Sequence, residues 1–212
     1  MELHFLDYLA PTLSLAGLLM VALISPGPDF AVIVKNSLVY SRKTALLTAL
    51  GIALGSLVHV SYTLFGLGLI ITQNAWLFLG VKYGGACYLL YIGYKGLKAK
   101  KTALTIDTLH HTRDISALSA LRSGFLTNAL NPKSILFFMS LFSVFLSQTT
   151  PLSIMILYLC IVFIETLGWF SFVAFFLSGK RTREKFNSIG HWVERITGGA
   201  LISLGAKLFF TA

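Results

Sequence analysis

Apolar residues run in long blocks along this chain instead of alternating with polar ones. The blocks fall at about 9–34, 44–71, 76–97, 123–147, 152–178 and 188–211. Each is long enough for an α-helix to cross a bilayer, which takes roughly 20 apolar residues. The pattern therefore predicts six membrane spans. One block is broken in its middle. Ser25–Phe30, "SPGPDF", places two prolines, a glycine and a carboxylate inside an otherwise apolar run. Pro26 and Pro28 have no N–H to donate, and Gly27 is expected to let the chain turn where a side chain would clash. The fourth block carries a second proline at "NPKS", Asn131–Ser134. Lipid leaves freed backbone groups unsatisfied, so such breaks must face protein or a water-filled cavity.

Composition agrees with the block pattern. Hydrophobic residues make up 56% of the 212 and charged residues 12%, with a mean hydropathy of +0.79. An average soluble domain has about a quarter charged residues, so a soluble enzyme is excluded. The long polar stretch Lys98–Ser116 reads as a linker in which His110 and His111 are solvated. Three regions follow: 1–97, a linker over 98–121, and 122–212. Glu2 and Asp7 stand where a cleavable signal would carry basic residues, so the first span is expected to be retained.

The net charge of +9 raises the question of nucleic acid, but the basic residues are distributed as in a membrane topology. They follow the first span (Lys35, Arg42, Lys43), lie between the third and fourth (Lys95, Lys98, Lys100, Lys101, Arg113, Arg122), and follow the fifth (Lys180, Arg181, Arg183, Lys185, Arg195). The alternate connections, 72–75 and 147–151, carry no charge. The positive-inside rule places the basic loops in the cytoplasm and both termini outside. No basic face with interleaved aromatics points to nucleic acid. Cys87 and Cys160 lie inside apolar runs without metal-ligand spacing and are expected to be buried small hydrophobes. No metal or cofactor motif is present, and HExxH and GxSxG are absent, which argues against an intramembrane enzyme.

Three spans on either side of a linker suggest an inverted repeat. Laying Ser25–Asp29 over Asn131–Ile135 superposes Pro26 on Pro132 and His59 on Glu165. A slightly different offset matches Leu89, Gly93 and Lys95 with Leu201, Gly205 and Lys207. The expected fold is all-α, with six transmembrane helices in two inverted three-helix repeats and with helices one and four broken. Half-helix N-termini at the breaks attract a carboxylate, and freed carbonyls attract an ammonium. An amino acid zwitterion presents both.

The ionisable residues in the spans are the candidates for chemistry, because a charge at mid-membrane costs on the order of 3 kcal/mol unless paired. Asp29 and Lys133 follow the two breaks and either lock them with a salt bridge or engage substrate. Glu165 lies near mid-span with no basic residue within a turn of its own helix. An apolar setting disfavours its charged form, which suits a proton carrier; a structural hydrogen bond to a neighbouring helix is the alternative. His59 is a core histidine or a proton or substrate ligand. Asn128 and Asn131 either cap freed backbone or contact substrate. Gly51 and Gly55 in "GIALG" predict close helix packing, as do Gly84, Gly85, Gly93 and Gly96. These faces would serve packing within one protomer or in a homo-oligomer. Tyr88, Tyr91 and Tyr94 fit packing or an interface belt.

"ALISPGPDF" at 22–30, "GIALG", "GGACYLLYIGYKGLK" at 84–98 and "GFLTNALNPKSILFF" at 124–138 together resemble the LysE/RhtB family of bacterial amino acid exporters across essentially the whole chain. With "IETLGWF" at 164–170, the sequence is most similar to the threonine-efflux branch. The resemblance implies an inner-membrane exporter of threonine or a related small amino acid (homoserine, homoserine lactone), in exchange for protons. The alternatives are another amino acid, such as leucine or a basic one, and a passive channel. The family's motif positions fall on Pro26, Gly27, Pro28, Asp29, Asn131, Pro132 and Lys133. With Asn128 they form the expected substrate site, and Asp29, Glu165 and His59 the expected proton-coupling set. Amino acid, protons and membrane lipid are the expected partners.

Overall fold

The computed structural model describes residues 5–73, 75–99, 114–147, 149–176 and 180–210. Among them all regular structure is helical: α1 Phe5–Ile24, α2 Pro28–Val39, α3 Arg42–Gln73, α4 Ala75–Leu97, α5 Ala117–Ala129, α6 Pro132–Phe145, α7 Leu152–Phe176 and α8 Lys180–Phe210. His110 and His111 lie outside the described residues, as does most of the stretch 98–116.

Both expected breaks are present, and proline places each of them. Helix α1 ends at Ile24, because Pro26 offers no N–H and biases Ser25 away from helix. Pro28 then opens α2 at its first position, where a missing N–H is harmless. Pro132 does the same for α6, and the Asn131 side-chain oxygen caps that helix by accepting the Lys133 N–H at 3.0 Å. Gly27 corrects the expectation of a turn that only glycine can make. Its φ of −171° and ψ of −172° are extended backbone open to any residue, and a Cβ there would meet Lys133 Nζ at 3.4 Å, an ordinary contact.

Two helices outrun their apolar blocks. Helix α5 begins at Ala117, ahead of the run near 123, because Ser116 Oγ accepts the Ser119 N–H at 3.2 Å and caps it. Helix α8 begins at Lys180 instead of near 188. A polar turn can continue a helix beyond the membrane, where hydropathy gives no sign of it.

Three described helices are long and apolar enough to cross a membrane, over Asp7–Ile24, Arg42–Gly66 and Leu152–Phe176. The last has a mean hydropathy of 2.1, yet only 22% of it is buried inside the protein. Phe65, Ile164, Phe172 and Ile196 are more than half exposed. Apolar surface on this scale is stable only against lipid. The chain is an all-α membrane protein.

Glycines set the tightest helix contacts. Gly51 and Gly55 of α3 lie against Leu121, Phe125 and Asn128 of α5, and Gly124 of α5 lies against Thr48 of α3. Gly93 and Gly96 of α4 likewise meet Gly198 of α8. Gly85 packs on Ser140, whereas Gly84 faces open space and takes no part in packing. Cys87 and Cys160 are free and exposed, not buried. They lie on outward faces, where lipid accepts a small apolar group as readily as a core does. Tyr91 and Tyr94 are also exposed, with the Lys95 and Lys98 ammonium groups 4.9 and 4.4 Å from their ring centroids.

The core is divided in two. The larger cluster joins α1, α3, α4, α6, α7 and α8 through residues such as Leu15, Val60, Leu89, Phe142, Tyr158 and Leu204. The smaller joins α2, α3 and α7 through Phe30, Ile33, Ile52 and Phe170. Helices α3 and α7 contribute to both, and the two breaks lie between them.

Candidate functional site

Between the two clusters is a cleft of about 500 Å³ of empty space, part of it open to the exterior. Its polar wall is built from the two interruptions: Ser25, Gly27 and Asp29 from the first, Asn128, Asn131, Lys133 and Ser134 from the second. Ser56 of α3 and Thr166 of α7 add hydroxyls, and Phe30, Phe137, Phe138 and Phe170 supply rings.

Each break holds the charge of the other. Asp29 Oδ2 accepts from Asn128 Nδ2 at 3.0 Å and from Asn131 Nδ2 at 3.3 Å. Lys133 Nζ donates to Ser25 Oγ at 3.1 Å and to the Pro26 carbonyl at 3.4 Å. Asp29 sits in the first turn of α2, where the helix dipole favours negative charge, and Gly27 gives that terminus no side-chain cap. Among the described residues no direct ion pair joins Asp29 to Lys133. The site thus presents a carboxylate and an ammonium, each steadied by neutral donors or acceptors and each able to face a ligand.

Two acceptors in the cleft are left over. Asp29 Oδ1 and Asn128 Oδ1 are buried and have no hydrogen-bond partner among the described residues. Buried polar atoms are nearly always paired, so this corner is complementary to a group with several N–H donors. A primary ammonium is such a group.

His59 stands behind the cleft instead of lining it. It is fully buried; Nε2 lies 2.9 Å from the Asn128 carbonyl and Nδ1 lies 3.0 Å from the Tyr62 hydroxyl. A carbonyl only accepts, so Nε2 carries a proton, and Nδ1 shares a hydrogen bond with the Tyr62 hydroxyl. The ring stacks on Phe138 at 5.7 Å between centroids. His59 therefore fixes the end of α5 that carries Asn128.

The remaining expected residues have other positions. Pro26, Pro28 and Pro132 shape the breaks without lining the cleft, although the Pro26 carbonyl holds Lys133. Glu165, on α7, does not line it either; its Oε2 is buried without a partner among the described residues. Sequence reasoning missed Ser25, Ser56, Ser134 and Thr166 as lining residues. Ser25 and Ser134 adjoin the two motifs and were legible there, while Ser56 and Thr166 look like ordinary residues of apolar helices until packing turns them inward.

Residues 20–211 match the family model described as LysE type translocator. The chain is 33% identical over 201 residues to the threonine efflux protein of Escherichia coli (strain K12), covering 94% of this chain and 97% of that one. It is 34% identical over 194 residues to the threonine efflux protein of Salmonella typhi, covering 91% and 94%. It is also 27% identical over 194 residues to the uncharacterized membrane protein YahN of Escherichia coli (strain K12), covering 92% and 86%. No solved structure matches the chain.

Proposed function

The chain belongs to the LysE family of translocators, and we propose that it exports threonine or a related small neutral amino acid across the bacterial inner membrane in exchange for protons. The observation that carries this reading is the crossed arrangement of the breaks, with Asp29 held by Asn128 and Asn131 and Lys133 held by Ser25 and Pro26 around one cleft. In our scheme the substrate ammonium docks on Asp29 Oδ1 and Asn128 Oδ1, and its carboxylate faces Lys133. The names of the threonine efflux relatives support the choice of substrate.

The frame we assign is six spans, with α1–α2 and α5–α6 each counted as one broken span. Residues 1–97 and 122–212 form inverted halves joined by a cytoplasmic 98–121, and both termini lie outside. The basic connections support this orientation. Asp29 is the carboxylate that lines the cleft, and we give it the principal coupling role: when the ammonium leaves, the carboxylate takes up a proton from outside and releases it inside. Glu165, next to cleft-lining Thr166 and with an unpartnered Oε2, is the second candidate. His59 has both nitrogens engaged and is assigned to positioning.

The test is uptake of labelled threonine into inside-out vesicles, with and without an imposed proton gradient and with homoserine, leucine and arginine as competitors. Gradient-dependent accumulation is expected, and Asp29→Asn should abolish it while the protein remains in the membrane. Normal accumulation by Asp29→Asn would sink the coupling scheme. Flux that is indifferent to the gradient would make the protein a passive pathway.

A further inference from the structure

Hydroxyl groups inside these helices have a habitual solution. Ser37, Thr48, Thr63, Thr127 and Ser140 each donate to the carbonyl four residues back, at 2.6–2.9 Å. Thr166 departs from it. The residue is 1% exposed, yet its Oγ1 makes no hydrogen bond among the described residues, although the Val162 carbonyl stands at the same offset on α7. A buried hydroxyl without a partner is destabilising, and most native structures avoid it.

Its position separates Thr166 from the other unpartnered atoms of α7. The Tyr158 hydroxyl, Glu165 Oε2 and Trp169 Nε1 are also buried without partners among the described residues, but none of these residues lines the cleft. Thr166 does, beside the rings of Phe170, Phe137 and Phe138. The cleft's charged groups, Asp29 and Lys133, come from the two breaks, whereas Thr166 offers one neutral donor and acceptor on a different helix within an aromatic wall. A ligand held by its two charges at the breaks would place its side chain elsewhere in the cleft, and a single hydroxyl there satisfies Thr166.

We propose that Thr166 is the specificity residue of this site, exchanging a hydrogen bond with a hydroxyl on the substrate's side chain, so that a small hydroxylated amino acid is preferred over its carbon isostere. The inference rests on the reading of the cleft as an amino acid site. A pocket that pairs a buried hydroxyl with a substrate hydroxyl rejects an analogue lacking it, because the protein group is then left unpaired. Ser56 does not compete for this role, since its hydroxyl already donates to the Ala53 carbonyl at 2.8 Å.

Threonine and valine differ by a hydroxyl in place of a methyl, and they are the probes. Uptake of each labelled amino acid is measured in inside-out vesicles containing wild type, Thr166→Val, Thr166→Ala or Thr166→Ser, at matched protein content. Wild type should favour threonine over valine by about tenfold in apparent KM, the scale of one hydrogen bond. Thr166→Val and Thr166→Ala should bring the ratio close to one, and Thr166→Ser should restore it. The two hydroxyl-free variants report independently, so poor folding of one leaves the comparison intact. A threonine-to-valine ratio in Thr166→Val and Thr166→Ala equal to that of wild type overturns the inference and leaves the transporter reading standing. Equal handling of the two amino acids by wild type does the same. Wild-type vesicles that take up neither overturn the amino acid reading itself, and the inference with it.

Discussion

Replacing Gly51 by alanine tests whether the contact between α3 and α5 sets the geometry of the site. A Cβ at Gly51 falls on the Leu121 carbonyl oxygen, 2.8 Å from Phe125 N and 3.0 Å from the Leu121 carbonyl carbon. All three are backbone atoms of α5, so no side chain can rotate to make room. The contact is reciprocal, since a Cβ at Gly124 falls on the Thr48 carbonyl oxygen of α3. Relief requires the helices to part by on the order of 1 Å, the shortfall from ordinary carbon contacts at ~3.5–4.0 Å. Overpacking of this kind costs about 1–3 kcal/mol, and the helical gain of alanine over glycine returns roughly 0.5–1 kcal/mol. The expected net loss, centred on about 1 kcal/mol and at most about 2.5, should lower the melting temperature in detergent by a few degrees. Gly168→Ala is the matched control, because a Cβ there meets nothing within 4 Å and should leave stability unchanged or raised. Transport should suffer as well, since α5 carries Asn128 into its bond with Asp29. If Gly51→Ala melts at or above the wild-type temperature, the close approach of the helices is not what holds Asn128 in place.

Two further outcomes follow from the same geometry. His59→Leu removes the partner of the Asn128 carbonyl and of the Tyr62 hydroxyl; at ~1–3 kcal/mol for a stranded buried group, a clear drop in thermal stability is expected, together with weaker threonine uptake, and wild-type values in both would remove His59 from its positioning role. Asp114 accepts the Ser41 N–H at 2.8 Å and the Thr44 hydroxyl at 3.3 Å at the start of α3. Hydrogen bonds from the Ser41 side chain and backbone hold its carboxyl below the ordinary 3.8. The stabilisation is therefore complete above 3.8 and is lost as the pH falls through the lower folded value. Hydrogen exchange at the Ser41 amide, corrected for intrinsic rate, should show protection that disappears in that acidic range, and Asp114→Ala should lack it throughout. Protection in Asp114→Ala equal to wild type would show that the contact does not hold this turn.

The division of the core gives the cleft its mechanical setting. Helices α4, α6 and α8 reach the larger apolar cluster, α2 reaches the smaller one, and α1, α3 and α7 touch both. The polar interruptions therefore sit at the seam between the two apolar clusters.

Sequence alone determined the solvent and the places where helices stop. Blocks of apolar residues require lipid whatever their packing, and a proline lacks its N–H in any fold, so the membrane class and the breaks near Ser25 and Asn131 were legible in one dimension. The motif residues Asp29 and Lys133 were legible for the same reason, because an ionisable group in an apolar run demands an explanation wherever it ends up. Partners were not. That Asp29 would be held by amides of the other break, that His59 would back Asn128 instead of entering the cleft, and that Cys87 and Cys160 would face outward all depend on helix rotation. Hydropathy does not encode rotation when lipid and core are equally apolar. Thr166 shows the limit most clearly. Read along the chain it is one hydroxyl among many, and only the packing of α7 against the breaks placed it on the cleft wall with its hydrogen bond unmade.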